Sequence, residues 1–124
     1  MTRQPSPFVG HVCELLEAVG PIRWRRMFGG YGLYCDELFF ALVADDVLYL
    51  KTDEVNRPAF EARGIAPFRP FPDKATAMAY HPVPDEVLED REALAAWANG
   101  AVAAALRARR PRPGRRRRSG DDPT

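Results

Sequence analysis

Residues 24–51, WRRMFGGYGLYCDELFFALVADDVLYLK, decide the fold of this 124-residue chain. Apolar and aromatic residues fill three runs within it, at 31–35, 38–44 and 47–50, and the breaks between them are Asp36-Glu37 and Asp45-Asp46. A two-residue break leaves room only for a hairpin, whereas a parallel crossover needs about a dozen residues or more. The runs are therefore expected as consecutive antiparallel strands of a meander. Ahead of them, Ile22 and Trp24 alternate with Arg23 and Arg25, the pattern of a strand with one wet face. The run 38–44 is apolar at every position, which implies burial on both faces. Phe39 and Phe40 should then point to opposite sides, each contributing about 1.5–3 kcal/mol if fully buried.

Gly29, Gly30 and Gly32 could suggest a phosphate-cradling loop, but such loops lead from a strand into a helix whose N-terminus faces the anion. Here another strand follows, and a hairpin turn or bulge is the stronger reading. Arg23, Arg25 and Arg26 beside Trp24 offer a phosphate-tracking face if the indole is exposed. The stronger alternative places Trp24 in the core and the arginines on the wet face of an edge strand.

Helices flank this centre. Ser6-Pro7 reads as an N-cap followed by proline in the first turn, and Phe8, Val12, Leu15, Leu16 and Val19 follow at helical spacing until Gly20-Pro21. Thr52 or Asp53 could cap a short second helix with Pro58 early in it and Gly64 at its stop. Residues 65–73 carry three prolines and read as a loop, 75–83 as a fifth strand, and 84–88 as a brief helical turn. Asp90 caps a long last helix, in which Leu94, Trp97, Ala98, Ala101, Val102, Ala105 and Leu106 form a continuous stripe. That stripe reads as core rather than partner surface.

The net charge of +1 hides a division. Residues 1–106 hold 10 basic and 15 acidic side chains, whereas 107–124 hold eight arginines and two aspartates. Expected, then, is an acidic α+β domain over 1–106 with a disordered arginine-rich tail over 107–124. Pro111, Pro113 and Gly114 oppose a continuing helix, and with no apolar residue after Ala108 the tail cannot bury enough surface to offset the cost of ordering. Arg107, Arg109, Arg110, Arg112, Arg115, Arg116, Arg117 and Arg118 are the candidate nucleic-acid-binding residues. Nonspecific attraction to DNA or RNA and a merely solvating tail both remain open.

Chemistry is harder to find. Nucleophilic and paired-carboxylate catalysis need a base, or a second acid, in a shielded cleft. Ser6 and Ser119 have no motif around them, and the carboxylates fall at turns (Asp36, Glu37, Asp45, Asp46) or along a short helical run (Asp85, Glu86, Glu89, Asp90). No phosphate-loop, dinucleotide or zinc-ligand spacing occurs. Cys13 and Cys35 lack CxxC spacing and read as reduced, mostly buried thiols, and His11 and His81 belong to no ligand motif. No catalytic residue, cofactor or metal is expected. With neither a run of about 20 apolar residues nor a hydrophobic N-terminal segment, the expected location is the cytoplasm, away from membrane.

MFGGYGLYCD, followed by FFALVADDVLYLKTD, resembles the N-terminal domain of the TfoX/Sxy family of bacterial competence regulators. The similarity continues through PAFEARGIAPF, AMAYHPVPDEVLED and REALAAWANGAVAAA, covering roughly residues 8–106. The resemblance implies a compact α+β domain with helices packed on an antiparallel sheet, and a role in regulating gene expression. In the best-known members that role is to promote transcription of DNA-uptake genes alongside the cAMP receptor protein. Full-length members carry a second, helical domain, and here the arginine tail stands where it would begin, so a stand-alone form is expected. The family supplies no catalytic residues, and Met27, Phe28, Gly29, Gly30, Tyr31, Gly32, Leu33 and Tyr34 are signature positions expected to shape the hairpin.

The expected order of elements is α-β-β-β-β-α-β-α-α. The expected function is that of a non-enzymatic regulatory or adaptor domain acting on a protein partner. The competing expectation is a small-molecule binding domain or enzyme with its pocket between the sheet and the last helix. A homodimer through the alanine-rich last helix or an exposed sheet edge is a third possibility.

Overall fold

Ser6 caps the first helix: its Oγ accepts the Val9 amide at 3.2 Å, and Pro7, whose missing N–H is no loss there, begins α1 (Pro7–Leu15). The computed structural model describes residues 6–27, 29–68 and 79–109. A short 3-10 turn (Leu16–Ala18) ends the first helical segment, and Gly20 then turns the chain into the sheet. Phe28 of the signature, the start of the expected fifth strand and Arg110, Arg112, Arg115, Arg116, Arg117 and Arg118 lie outside the described residues.

Five strands follow, β1 (Ile22–Met27), β2 (Gly30–Cys35), β3 (Leu38–Ala44), β4 (Val47–Lys51) and β5 (Tyr80–Pro82). They lie in the order β1-β2-β3-β4-β5 with every neighbour antiparallel, so the meander holds and β5 extends it by one strand. Both two-residue breaks are left-handed turns, with φ of 50° and 69° at Asp36 and Glu37 and 52° and 58° at Asp45 and Asp46. Positive φ at both central residues is the turn whose twist matches that of the strands it joins, and aspartate tolerates it better than most side chains do.

One irregularity sets the two faces of the sheet. Leu33 pairs with Ala41 but Tyr34 pairs with Phe39, which leaves Phe40 as an extra residue in β3. Phe40 and Ala41 both join the core, together with Leu33, Val43, Leu48 and Leu50, while Phe39 turns to the opposite face. On the core side lie Val9, Val12 and Leu16 and the last helix, α4 (Arg91–Arg109), through Leu94, Ala98, Ala101 and Ala105. Its alanines let helix and sheet backbones approach closely. On the other face Tyr34 stacks on Phe39 at 5.2 Å, Phe39 meets Tyr80 at 5.7 Å and Tyr49 meets Phe68 at 4.4 Å, above a buried Leu42.

Between β4 and β5 stands the short α2 (Arg57–Glu61), with Pro58 early in it; Gly64 at φ 72° follows its end. Between β5 and α4 stands α3 (Asp85–Leu88). Asp90 caps α4, its Oδ1 accepting the amides of Glu92 and Ala93 at 3.1 Å each. Two details of the last helix differ from the sequence expectation. Ala104 replaces Leu106 in the buried stripe, Leu106 being 45% exposed, and the helix runs three residues past Leu106 to Arg109. An Arg-Ala-Arg segment costs a helix little, and cations favour its C-terminal end.

Candidate functional site

The glycines of the signature are explained by what surrounds them. A Cβ on Gly30 would sit 2.1 Å from the Val43 carbonyl oxygen, and one on Gly32 would sit 2.6 Å from Met27 Cε and 3.0 Å from Phe39 Cε1. Gly29 lies in the first hairpin turn at φ 73°. All three therefore serve a tight hairpin, and a strand rather than a helix follows them. Trp24 is half-buried, packing against the core and meeting Tyr31 edge-on at 5.7 Å, which disfavours it as a stacking platform for bases. Arg23, Arg25 and Arg26 are exposed. Arg23 pairs with Glu37 at 3.0 Å, and the Arg26 guanidinium sits over the Tyr31 ring at 5.2 Å.

Of the candidate tail arginines, two are described, and they do different things. Arg107 is drawn into a clasp, its Nε donating to Asp53 Oδ2 at 2.6 Å and a terminal nitrogen to Oδ1 at 2.9 Å. The Asp53 carboxylate also accepts the amides of Val55 and Asn56, and the Asn56 side chain accepts the Asp53 amide and donates to the Lys51 carbonyl. Gly100 of α4 lies beside Asn56, and a Cβ there would stand 3.7 Å from Asn56 Cβ, an ordinary contact. The end of β4 is thereby tied to the end of α4. Arg107, with those two amides helping, holds the Asp53 carboxyl down to about 2, and Asp53 in turn pushes the guanidinium up. Sequence alone suggested Asp53 as a helix cap; it heads the turn before α2, and its long-range partner had no local signal.

A second buried pair lies nearby. Thr52 Oγ1 and His81 Nδ1 are 2.9 Å apart, both residues almost fully buried, and the imidazole packs on Phe60 at 5.2 Å. Burial, then the Arg57 charge, pushes the imidazole down, with Glu61 opposing. The neutral form of the imidazole is thereby favoured. Cys13 and Cys35 are free thiols, both pushed up by burial, and so lack the thiolate character of a nucleophile.

Arg109 lies apart from this clasp. It lines a cleft of about 310 Å3 where the last turn of α4 passes the end of the sheet, with Glu37, Phe39, Lys51 and Tyr80 among its walls. Lys51 Nζ lies 5.2 Å from the Tyr80 ring centre, and burial, with the neighbouring Tyr34, pushes the Tyr80 phenol up to about 12. Two cations, the Glu37 carboxylate and a neutral aromatic wall thus line the cleft. Among the described residues no group of three or more His, Cys, Asp or Glu could hold a metal ion, and no helix is long and apolar enough to cross a membrane.

The family model described as the TfoX N-terminal domain matches residues 14–105, a span that takes in all five strands and most of α4. Protein Sxy of Escherichia coli (strain K12) is 44% identical over 41 residues, 33% of this chain and 20% of that relative. The matched stretch is about a fifth of the length of Sxy.

Proposed function

We propose, since the chain belongs to the TfoX N-terminal domain family, that it is a non-enzymatic regulator of gene expression that works through contact with another protein. The carrying observation is a family match running almost the whole length of the fold. The perturbed groups support it too: His81 is shifted chiefly by burial and Asp53 chiefly by its bond to Arg107, both within the packed fold rather than in an open reactive centre. The arginines beyond Arg109 add sequence-independent attraction to nucleic acid and bring the regulator near its template. A mobility-shift titration on duplex DNA tests this, comparing the whole chain with one stopped after Arg109, which keeps every described element. If the six arginines from Arg110 to Arg118 touch phosphates, log K falls against log salt with a slope of about −5, and truncation abolishes binding. Equal binding by both chains would remove the tail from the mechanism.

The cleft beside Lys51 and Arg109 favours a second reading, a small-molecule binding domain. A ligand that binds only the folded state raises the melting temperature by mass action. A metabolite screen with no shift would count against it.

A further inference from the structure

We propose that the outer edge of β1 is a docking site for an extended, acidic segment of a partner protein, which pairs with it as an additional strand. This rests on the function proposed above and names the surface through which that contact is made. β1 is the first strand of the sheet, and among the described residues only β2 pairs with it. Alternate residues of this six-residue strand turn their backbone donors and acceptors outward, the others bonding β2, and an exposed edge of that length is a template for strand addition. By contrast the opposite edge is short: β5 has three residues, one of them Pro82, and its Tyr80 carbonyl already accepts the Phe68 amide at 2.7 Å.

The side chains on β1 decide what can add. Arg23 and Arg25 lie on the aromatic face of the sheet and Arg26 lies on the core face, because cross-strand partners share a face and Arg23, Arg25 and Arg26 pair with Tyr34, Gly32 and Tyr31. Cations thus flank the edge from both sides. A second copy is disfavoured: every antiparallel register of β1 against another β1 that uses most of the strand sets arginine opposite arginine. A nucleic-acid backbone is disfavoured as well, since it would track one face, and Trp24 is packed toward the core instead of free to stack. An extended peptide alternates its side chains between the two faces, so carboxylates on both of its faces meet the arginines on both faces of the edge. Glu37 already pairs with Arg23, which leaves Arg25 and Arg26, at the Met27 end, as the pair that selects the partner.

The test uses the whole chain, labelled with 15N, and three probes: the peptide acetyl-TEEVEEV-amide, whose glutamates fall on both faces of an extended strand, its lysine counterpart acetyl-TKKVKKV-amide, and oligo-dT. The glutamate peptide should shift the amides of residues 22–27 and slow their hydrogen exchange, with affinity falling about ten-fold between 0.05 and 0.3 M salt. Arg25→Glu/Arg26→Glu should abolish that response and create one to the lysine peptide. Arg25→Gln/Arg26→Gln, which leaves the exposed strand without new charge, should weaken it if the reversal variant misfolds. Perturbation of β1 by neither peptide, equal perturbation by both, self-association through β1, or an equal response to oligo-dT would each overturn the proposal. Capture from the native cell separates the two levels: partners held equally by wild type and by Arg25→Gln/Arg26→Gln refute the edge and leave the adaptor function standing, whereas a wild type that captures nothing refutes the adaptor function itself.

Discussion

Gly30→Ala should be among the most damaging single-methyl changes in the sheet. The new Cβ would stand 2.1 Å from the Val43 carbonyl oxygen, 3.2 Å from its carbonyl carbon and 3.4 Å from Ala44 Cα, all backbone atoms that cannot rotate away. Relief requires β2 and β3 to part by about 1 Å, which stretches the neighbouring ladder bonds beyond the range in which they hold. Overpacking of about 1–3 kcal/mol, with about 1 kcal/mol for a hydrogen bond lost, puts the cost at roughly 2–4 kcal/mol. Gly32→Ala is the control. Its Cβ would meet the flexible end of the Met27 side chain at 2.6 Å and the edge of the Phe39 ring at 3.0 Å, side chains rather than backbone, so the cost should be smaller, about 1–2 kcal/mol. Urea denaturation reads the difference, since at about 1–2 kcal/mol per molar the Gly30 variant should lose roughly 2 M of midpoint. A Gly30→Ala midpoint no lower than that of Gly32→Ala would refute the close strand approach.

Other outcomes follow from the turns and the buried pairs. Glu37→Gly should stabilise the chain by about 0.5–1 kcal/mol, since glycine relieves the left-handed strain at φ 69° and the exposed pair with Arg23 contributes little; a drop in melting temperature would contradict it. A double-mutant cycle of Asp53→Ala and Arg107→Ala should give a coupling of about 1 kcal/mol at pH 7, a bidentate pair discounted for its partial exposure. The Asp53 carboxyl is held down, so this stabilisation is present above its unfolded value near 3.8 and is lost as pH falls through about 2; coupling independent of pH between 5 and 2 would contradict the clasp. Thr52→Val should cost about 1–3 kcal/mol by stranding the His81 imidazole, measured by chemical denaturation. His81 is pushed down, so its contribution is full above the unfolded value near 6.5 and is lost as pH falls through the folded one; a wild type whose stability does not change from pH 7.5 to pH 5, compared with His81→Gln, would contradict a buried neutral imidazole.

The meander was legible because hairpin breaks are local: Asp36-Glu37 and Asp45-Asp46 interrupt apolar runs, and nothing distant is needed to interpret them. The helix caps at Ser6 and Asp90 were legible for the same reason. Features joining distant residues were not. The Phe40 bulge depends on how β3 packs against β2, and neither strand alone shows it. The Asp53–Arg107 clasp spans 54 positions, and Arg107 reads in sequence as the first residue of a charged tail because its partner is supplied only by folding. His81 looked like an isolated histidine until β5 was laid beside β4, where it pairs with Leu50 and sits next to Thr52. Even the β1 arginines, read in sequence as the wet face of an edge strand although Arg26 folds onto the core side, gain meaning only from the sheet order that leaves that edge free among the described residues.

The most direct test of a regulatory role is to delete the gene in its native cell and sequence the transcripts, restoring it with wild type or with Arg25→Gln/Arg26→Gln. A defined set of transcripts should fall on deletion and return with wild type but not with the edge variant. Transcripts unchanged by the deletion, with a metabolite accumulating instead, would contradict the account and favour the small-molecule reading of the cleft.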